Sequence, residues 1–467
     1  MKRTVTLACA LSCALSLAAA ATVASAAPKT STSNSTWSGA SAISPVNQPD
    51  PTRGSQLNDV ATNATGLTIA AWDQYTYTAG GPYTIGAAVQ SGGRWSAPFV
   101  VSGSTGFSMS PRVAVGADGT MAVSWTWQDA SLALERVQVA VKPAAATTWT
   151  TTTLAEWVPG GVALIDFVPV AIDAAGNVTA AWSAWTGTRH VLQTATRPSG
   201  GAWSPALTIS PATADAVSPS LSVNARGDAA LAYCLSPYTG YTSGTNAQFA
   251  SRSGVAGAWS VPVVVSETMS SSIGYITGAQ VALDANGLAT VLYMGYGAEA
   301  TRQLASGAWT PPRVVLQAPN QVSSWVSLDL ATDQFGRSVV AASIFDATIG
   351  VDRASVYVTT GTATGSWTPQ QRLTDPTVPV DAYATRAAVS PDGTLALVGW
   401  IDHYHGTVQV SQLNAGLWGP ANTIGRGTAF SSFQEVLGLD AGSGTIARAI
   451  WKNAKTGTQT MAASYGK

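Results

Sequence analysis

The segment DHYH, from Asp402 to His405, contains the residue types that most directly suggest chemistry in this sequence. His403 and His405 stand at alternate positions and would share one face of a strand, as two ligands of a metal ion would. The third histidine, His190, belongs to a distant part of the chain. Because no third ligand accompanies the two imidazoles, we predict neither a metal site nor any cofactor.

Carboxylates are the second group of interest, since hydrolysis of a glycosidic bond needs two of them about 5 to 9 Å apart. Six carboxylates fall in segments that we predict to be loops on one face: Asp129, Glu135, Asp346, Asp381, Asp402 and Glu435. The sequence does not single out a pair whose surroundings would separate their pKa values. We therefore predict no catalytic residue.

The same segments carry aromatic residues, namely Trp127, Trp157, Trp185, Tyr296, Trp325 and Tyr404. Exposed aromatic rings beside amides and hydroxyls suit the apolar C–H face of a pyranose and its polar rim. The alternative is that these rings only pack over short loops. We predict that they bind a ligand.

A further set of polar residues stands seven positions before the glycines of a repeated motif: Asp59, Arg112, Gln280, Asp329 and Arg386. We predict that they surround the mouth of a central channel. Asp59 with Arg112, and Asp329 with Arg386, would form two neutralising ion pairs, which contribute little stability if solvated. Alternatively, the set forms a polar pocket that captures a ligand.

These residues must be positioned by a repeat, which occurs eight times and often reads Asx-x-x-Gly before a short apolar run. Its glycines, 49 to 60 residues apart, are Gly66, Gly119, Gly176, Gly227, Gly287, Gly336, Gly393 and Gly444. A second repeated feature is a tryptophan in a Gly-x-Trp-like turn: Trp37, Trp95, Trp149, Trp203, Trp259, Trp309, Trp367 and Trp418. Seven of these tryptophans follow their glycine, whereas Trp37 precedes the first one.

Each unit of this length predicts four short strands, which in the second unit would be 112–117, 120–127, 136–142 and 148–154. Eight four-stranded units are typical of a β-propeller. We predict an all-β, eight-bladed β-propeller of four-stranded blades, closed by the N-terminal strand around Trp37, which would complete the last blade. The Asx side chain would bond to the backbone two residues on, the glycine would take a positive φ, and the repeated tryptophans would be core.

The composition of the chain restricts its possible partners and its location. Charged residues are only 10% of the 467, and the formal net charge is −1, which argues against nucleic acid as a partner. Residues 1–26 are predicted to be a signal peptide, 27–35 a Ser/Thr-rich leader and 36–467 the propeller. Past the signal peptide the only cysteine is Cys234, predicted to be a buried small hydrophobe. We predict a secreted, extracellular monomer that does not associate with membranes.

The repeat layout resembles the broad superfamily of bacterial secreted propellers that includes the sialidase-like, Asp-box repeat proteins. The resemblance covers nearly all of residues 36–467, as architecture only. Trp182 lies nine residues after Asp173, so the Asp-box Ser-x-Asp-x-Gly-x-x-Trp is not matched, and no Arg-Ile-Pro motif occurs. The resemblance implies an arginine triad, a tyrosine nucleophile with its glutamate, and an aspartate acid/base. Because the predicted mouth offers only Arg112 and Arg386, no catalytic role is transferred.

These observations lead to one functional prediction with two alternatives. The main prediction is a non-enzymatic binding protein that recognises a glycan or another extracellular surface through the aromatic loop face. One alternative is a polysaccharide-active glycoside hydrolase or lyase, which requires paired carboxylates or a Tyr/His/Arg cluster in a pocket. The other is a protein-interaction scaffold, which requires a flat apolar patch.

Overall fold

A computed structural model describes residues 37–45, 58–75, 82–159, 167–236, 244–267, 276–319, 325–345, 353–426, 437–453 and 459–466. Within these ranges the chain is all-β and contains no helix. The described residues therefore include no helix that could cross a membrane. The predicted signal peptide and leader lie outside the described residues.

The described residues form thirty-four strands, which are distributed over the eight repeat units. The first strand and the first two units are β1 (Ser41–Ala42), β2 (Asn58–Thr62), β3 (Thr68–Tyr75), β4 (Tyr83–Ser91), β5 (Arg94–Trp95), β6 (Phe99–Val100), β7 (Phe107–Val115), β8 (Met121–Gln128), β9 (Glu135–Lys142) and β10 (Thr150–Trp157). The third and fourth units contain β11 (Val170–Ile172), β12 (Val178–Trp185), β13 (His190–Arg197), β14 (Leu207–Thr208), β15 (Asp215–Val223), β16 (Ala229–Ser236), β17 (Asn246–Arg252) and β18 (Val263–Val264). The four strands of the second unit lie within a few residues of the predicted bounds.

The second half of the chain repeats the pattern. The fifth and sixth units contain β19 (Thr277–Leu283), β20 (Ala289–Met294), β21 (Ala298–Arg302), β22 (Arg313–Leu316), β23 (Trp325–Thr332), β24 (Ser338–Phe345), β25 (Ala354–Gly361) and β26 (Gln371–Arg372). The seventh and eighth contain β27 (Ala382–Val389), β28 (Ala396–Asp402), β29 (Thr407–Asn414), β30 (Leu417–Trp418), β31 (Asn422–Arg426), β32 (Gly438–Ser443), β33 (Ile446–Asn453) and β34 (Gln459–Tyr465).

Each unit forms an antiparallel sheet in which neighbouring strands are consecutive in the chain. In the first and seventh units the fourth strand is divided in two, and a parallel bridge between Tyr83 and Phe107 joins the first two sheets. The last sheet has only three strands of its own. Its fourth is β1, where Ser41 pairs with Ala462 and Ala42 with Met461. Short antiparallel sheets of this kind are the building blocks of a β-propeller.

Burial along the strands explains their composition. The second strand of a unit is buried on both faces, as in β12, because neighbouring sheets cover it from both sides. The first strand alternates between buried and half-buried residues, as in β2. Among the largest fully buried side chains are the tryptophans that end the repeated motif: Trp72, Trp125, Trp182, Trp400 and Trp451.

The tryptophans of the second repeated feature are half-buried rather than fully buried. Each packs against a different hydrophobic cluster: Trp37, Trp95, Trp149, Trp203, Trp259, Trp309, Trp367 and Trp418. The prediction that they serve packing is confirmed. Cys234 is fully buried, as predicted.

The predicted turn chemistry is also confirmed in most units. The Asp173 carboxylate accepts the backbone N–H of Ala175 at 2.9 Å, and Asp284 accepts that of Asn286 at 2.8 Å. Seven of the eight motif glycines have φ between +64° and +93°. Gly444 is the exception, because the first strand of the last unit contains a bulge between Ala441 and Ser443 that changes the turn.

Candidate functional site

The innermost strands are joined side by side through polar side chains that bond to the backbone of the next unit. The Val113 N–H donates to Asp59 at 3.0 Å, and the Ala387 N–H donates to Asp329 at 2.9 Å. Gln280 both accepts the Leu330 N–H and donates to the Leu328 carbonyl. Part of the predicted channel ring therefore has a structural task, which is to link neighbouring sheets.

A bulge precedes several of these positions. In four units the residue two places earlier has a positive φ and the strand register shifts: Ser110 before Arg112, Ser218 before Ser220, Gly278 before Gln280, and Ala384 before Arg386. A one-residue shift transfers a side chain from one face of a strand to the other. The bulges therefore decide which side chains point toward the axis.

Five charged residues are linked by electrostatic interactions, and we call them the axial cluster: Asp59, Arg112, Asp329, Arg386 and Asp440, the last of which interacts with Asp59. Arg112 and Arg386 belong to the second and seventh units, yet both act on Asp59 and on Asp329. None of the five forms a direct ion pair within 4.0 Å with another residue that the structure describes. The two close ion pairs considered from the sequence are thus replaced by a looser cluster.

Burial dominates the electrostatics of these carboxyls. It raises the pKa of Asp59 and of Asp329, and the neighbouring arginines offset this effect only in part. Burial, with a smaller contribution from the charge of Asp59, raises the pKa of Asp440 to about 6, although Asp440 accepts the Thr62 N–H at 2.6 Å. Asp440 is consequently a carboxyl that can hold or release a proton near neutral pH.

The two arginines make few hydrogen bonds to the described residues. Arg112 donates to the Pro111 carbonyl at 3.3 Å and lies 3.8 Å over the ring of Phe167, while Arg386 donates to the Thr385 carbonyl at 3.3 Å. Across the described ranges, no other hydrogen bond is found for either guanidinium. Burial, and the like charge of Arg386, lower the pKa of Arg112.

Phe167 connects the axial cluster to a cleft on the loop face, the aromatic cleft, which Trp127, Glu135 and Trp157 also line. The Trp157 indole donates to Glu135 at 2.7 Å. The guanidinium of Arg136 lies 4.5 Å over the Trp127 ring. The cleft has a volume of about 20 Å³, which holds little more than one water molecule. Trp127 therefore uses a ring face, and Trp157 its indole N–H, in internal contacts.

The DHYH segment forms a separate group, the histidine cluster, at the end of β28. The Nδ1 atom of His405 lies 2.6 Å from Asp402, which also accepts the Tyr404 N–H at 3.0 Å. His403 stacks on Tyr383 at 4.3 Å. Asp381 donates its backbone N–H to Asp402, and burial raises the pKa of the Asp381 carboxyl. The part of the chain with described coordinates contains no group of three or more potential metal ligands.

His190 lies in another part of the structure. Its ring centre is 4.8 Å from that of Trp185, with the two rings tilted, and its Nδ1 atom is 3.7 Å from the carboxylate of Asp215. Asp215 stands twelve residues before its motif glycine, as Asp381 does, and each accepts the first N–H of the third strand in the preceding unit. This equivalence gives Asp381 a linking role in addition to any chemical one.

Of the other predicted binding residues, Tyr404 belongs to the histidine cluster, whereas Tyr296, Trp185 and Trp325 join neither that cluster nor the axial cluster nor the aromatic cleft. Tyr296 and Tyr404 are the most exposed, at 65% and 57%, whereas Trp185 and Trp325 are half-buried. Arg353 lies 4.4 Å over the Tyr404 ring. Asp346 and Glu435, two of the candidate carboxylates, lie outside the described residues.

Sequence reasoning missed Asp440 and Phe167. Asp440 lies on the first strand of the last unit and accepts a backbone N–H from the next unit. Ser222 does the same from the equivalent position of the fourth unit. An acidic residue at an inner-strand position in the last unit was the available signal. The bulge in β32 concealed it, because counting back from Gly444 places the wrong residue at that level.

No protein-family model and no curated protein matches the chain. Among solved structures, an α-L-arabinofuranosidase of Fusarium graminearum is similar, with 10% identity over 92% of this chain and 98% of that one, at a TM-score of 0.46. A polysaccharide lyase, Uly1, has 9% identity over 74% and 88% at 0.45. A Penicillium chrysogenum α-L-arabinanase complexed with arabinobiose has 11% identity over 92% and 98% at 0.41.

These likenesses are loose, and they assign no role to any residue of this chain. The three proteins named are two glycoside hydrolases and a polysaccharide lyase. The main functional prediction, a non-enzymatic binding protein, is therefore contradicted, and the alternative of a polysaccharide-active enzyme is favoured in its place.

Proposed function

We propose that this chain is a polysaccharide-active enzyme whose chemistry takes place at the axial cluster. The observation that carries the proposal is the meeting of Asp440 and Asp59, two carboxyls with raised pKa values and different partners. Cleavage of a glycosidic bond needs one carboxylic acid to protonate the leaving oxygen and one carboxylate as base or nucleophile. Asp440, with a pKa of about 6, suits the acid.

Asp59 suits the carboxylate. Burial raises the pKa of Asp59, but Arg112 and Arg386 both favour its ionised form, which makes it the candidate base or nucleophile of the pair. The donors of the two guanidinium groups would hold substrate oxygens, because a planar fork of N–H groups fits carboxylate and hydroxyl oxygens well. The proposed enzyme is accordingly a glycoside hydrolase.

A lyase is the second candidate, and the arginines are the observation that favours it. Two guanidinium groups on one site could neutralise the carboxylate of a uronic acid, which acidifies the neighbouring C–H bond. The two candidates differ in product, because a lyase leaves an unsaturated sugar and a hydrolase does not.

The test is a screen of neutral and uronate-containing polysaccharides with the purified chain, in which new reducing ends and unsaturated products are measured separately. We expect new reducing ends from wild type, and a loss of about 10²-fold or more in Asp440→Asn and Asp59→Asn. Asp129→Asn is the matched control, since Asp129 lies on an exposed loop. No product from any polymer, or equal activity in all variants, would rule out the proposal.

We also propose that the sheets form a closed, eight-bladed ring. Support comes from the pairing of β1 with β34 and from the bond between Asp440 of the last unit and Thr62 of the first. A crystal structure with seven blades, or with a gap between the first and last units, would contradict this arrangement.

We propose further that residues 1–26 direct export and are removed, and that the released chain is monomeric. The basic start, apolar stretch and Ala24-Ser25-Ala26 ending support the first point. N-terminal sequencing of protein recovered from the medium, together with its mass by light scattering, checks both. An N-terminus at Met1 or the mass of a dimer would count against them.

A further inference from the structure

A second site is suggested by a cavity of about 350 Å³ between the sixth and seventh units. The turn residues Asp333 and Gly393 line it, together with Trp367 of the sixth-unit hairpin and Leu413 of the seventh unit. The volume lies within the range of small-molecule pockets, roughly 300 to 1,000 Å³. The cavity belongs to the face that carries the repeated turns, not to the loop face of the aromatic cleft.

At one lining position, the sixth unit lacks a side chain that other units have. The residue two positions after each motif glycine lies on the second strand and pairs with a residue of the third strand. In four other units this third-strand residue has a long side chain: Gln90, Lys142, Arg197 and Arg252. In the sixth unit the residue is Gly361, opposite Ser338. A Cβ atom on Gly361 would lie 2.9 Å from ring atoms of Trp367, so the ring rests against bare backbone.

The fourth unit shows what normally occupies this space. There the guanidinium of Arg252 lies 5.4 Å over the ring of Trp259, the counterpart of Trp367. Gly361 provides no such cover, and its backbone does not have the left-handed φ that would demand glycine. The φ angle of the chain thus does not require the glycine, and its effect is to let the Trp367 ring lie directly against the backbone.

The polar groups around the ring are arranged for hydrogen bonding without net charge. The Nε atom of Arg337 donates to Asp333 at 2.6 Å, and its Nη2 atom donates to the Gly393 carbonyl at 3.2 Å. Thr360, Thr362 and Thr368 add hydroxyl groups to the lining. An apolar ring bordered by hydroxyls and a neutralised ion pair matches a neutral pyranose, which has an apolar C–H face and a hydroxyl rim.

We propose that this cavity binds one neutral pyranose residue of a polysaccharide chain, stacked on Trp367. Such a site would hold the polymer at a distance from the axial cluster and raise the local concentration of substrate there. Binding at this cavity is independent of catalysis, so it can be demonstrated even if the proposed enzymatic function fails.

The experiment is saturation-transfer difference NMR on the purified chain with four probes: the methyl glycosides of glucose, galactose, mannose and xylose. Two variants remove the site in different ways. Trp367→Ala deletes the ring, and Gly361→Gln restores the kind of long side chain found in other units. Trp309→Ala is the matched control, because Trp309 is the equivalent residue in the fifth unit and packs on Phe249 at 4.8 Å. Arg112→Ala tests for binding at the axial cluster.

We expect transfer to the ring C–H protons of at least one probe in wild type, Trp309→Ala and Arg112→Ala. The signal should fall at least tenfold in both Trp367→Ala and Gly361→Gln. Should Trp367→Ala fail to fold, Gly361→Gln decides the matter alone. The proposal is overturned if no probe gives a signal, if Gly361→Gln retains the wild-type signal, or if Arg112→Ala alone abolishes it.

Discussion

At the scale of single residues, the axial cluster shows how a fold with few charges concentrates them. Burial raises the pKa of Asp59, Asp329 and Asp440, although each carboxyl accepts a backbone N–H from the next unit. The cost of desolvation outweighs these bonds. Acidic groups held in this way are available for proton transfer, at some expense to stability near neutral pH.

The loss of stability that accompanies ionisation of the buried carboxyl leads to a prediction for Asp440→Asn. Because the pKa of Asp440 is about 6 in the folded chain and 3.8 ordinarily, its contribution to stability is fully present below pH 3.8 and is lost as the pH rises through 6. The neutral amide keeps that contribution at every pH and can still accept the Thr62 N–H. We expect the variant to be more stable than wild type by up to about 3 kcal/mol at pH 7.5.

Thermal unfolding between pH 4 and 8 measures the effect. The difference between variant and wild type should shrink toward zero near pH 4. Asp129→Asn serves as the comparison, since hydrogen bonding to Ser131 lowers the pKa of Asp129 and no gain at pH 7.5 is expected there. A stability difference that does not change with pH would show that the Asp440 carboxyl is not perturbed.

At the scale of elements, the bulges of the innermost strands connect backbone conformation to the site. Ser110, Ser218 and Ala384 have φ values between +52° and +59°, where a side chain costs about 1 to 2 kcal/mol. The equivalent residue of the fifth unit is Gly278, with φ of +60°. Three units therefore tolerate strain that the fifth avoids, in order to direct the following side chain toward the axis.

Exchanging these residues tests the strain. Ala384→Gly should stabilise the chain by about 0.5 to 1 kcal/mol, because glycine adopts a positive φ without steric conflict. Gly278→Ala should destabilise it by about the same amount. An added Cβ at Gly278 has no neighbour within 4 Å, so strain and not a clash would be responsible. Urea unfolding of both variants gives the values, and the same sign for both would refute the explanation.

At the scale of the whole molecule, the first and last units meet at a seam made of segments far apart in the chain. The short strand β1 completes the last sheet, Trp37 contacts Tyr465 at 5.5 Å between ring centres, and Ile43 is buried. Lys452 of the last unit donates to the Asp73 carbonyl of the first, and burial lowers the pKa of this lysine to about 8. The stability of the folded chain should therefore depend on the few residues of the N-terminal segment that pair with the last unit.

Ile43→Ala tests this dependence. Truncation of a buried isoleucine costs about 2 to 5 kcal/mol, and here it should loosen β1 from the last sheet. Ala42→Ser is the control, because Ala42, the last residue of β1, is the exposed neighbour of Ile43. We expect one cooperative thermal transition at lower temperature for Ile43→Ala and no change for Ala42→Ser. An unchanged midpoint in Ile43→Ala would mean that the seam does not contribute to stability.

Much of the architecture could be predicted, because the information is local and repeated. A glycine with positive φ, an Asx side chain that bonds two residues on, and strands of β-branched and aromatic residues each depend on close neighbours in sequence. Eight copies make such signals easy to recognise. The pairing of the Trp37 segment with the last unit followed from the same count, and β1 lies on β34 as expected.

The repeat, the strands and the packing role of the second set of tryptophans can be inferred from residues close together in the chain. Which polar residues meet depends on the three-dimensional arrangement, because bulges shift strand register and strands from units distant in sequence come together at the axial cluster. Asp440 lies near enough to Asp59 for their charges to interact, and the ring of Trp367 lies against Gly361, through contacts that no local pattern records. The physical reason is that chemistry depends on distances across the molecule, whereas sequence patterns report mainly on neighbours along the chain.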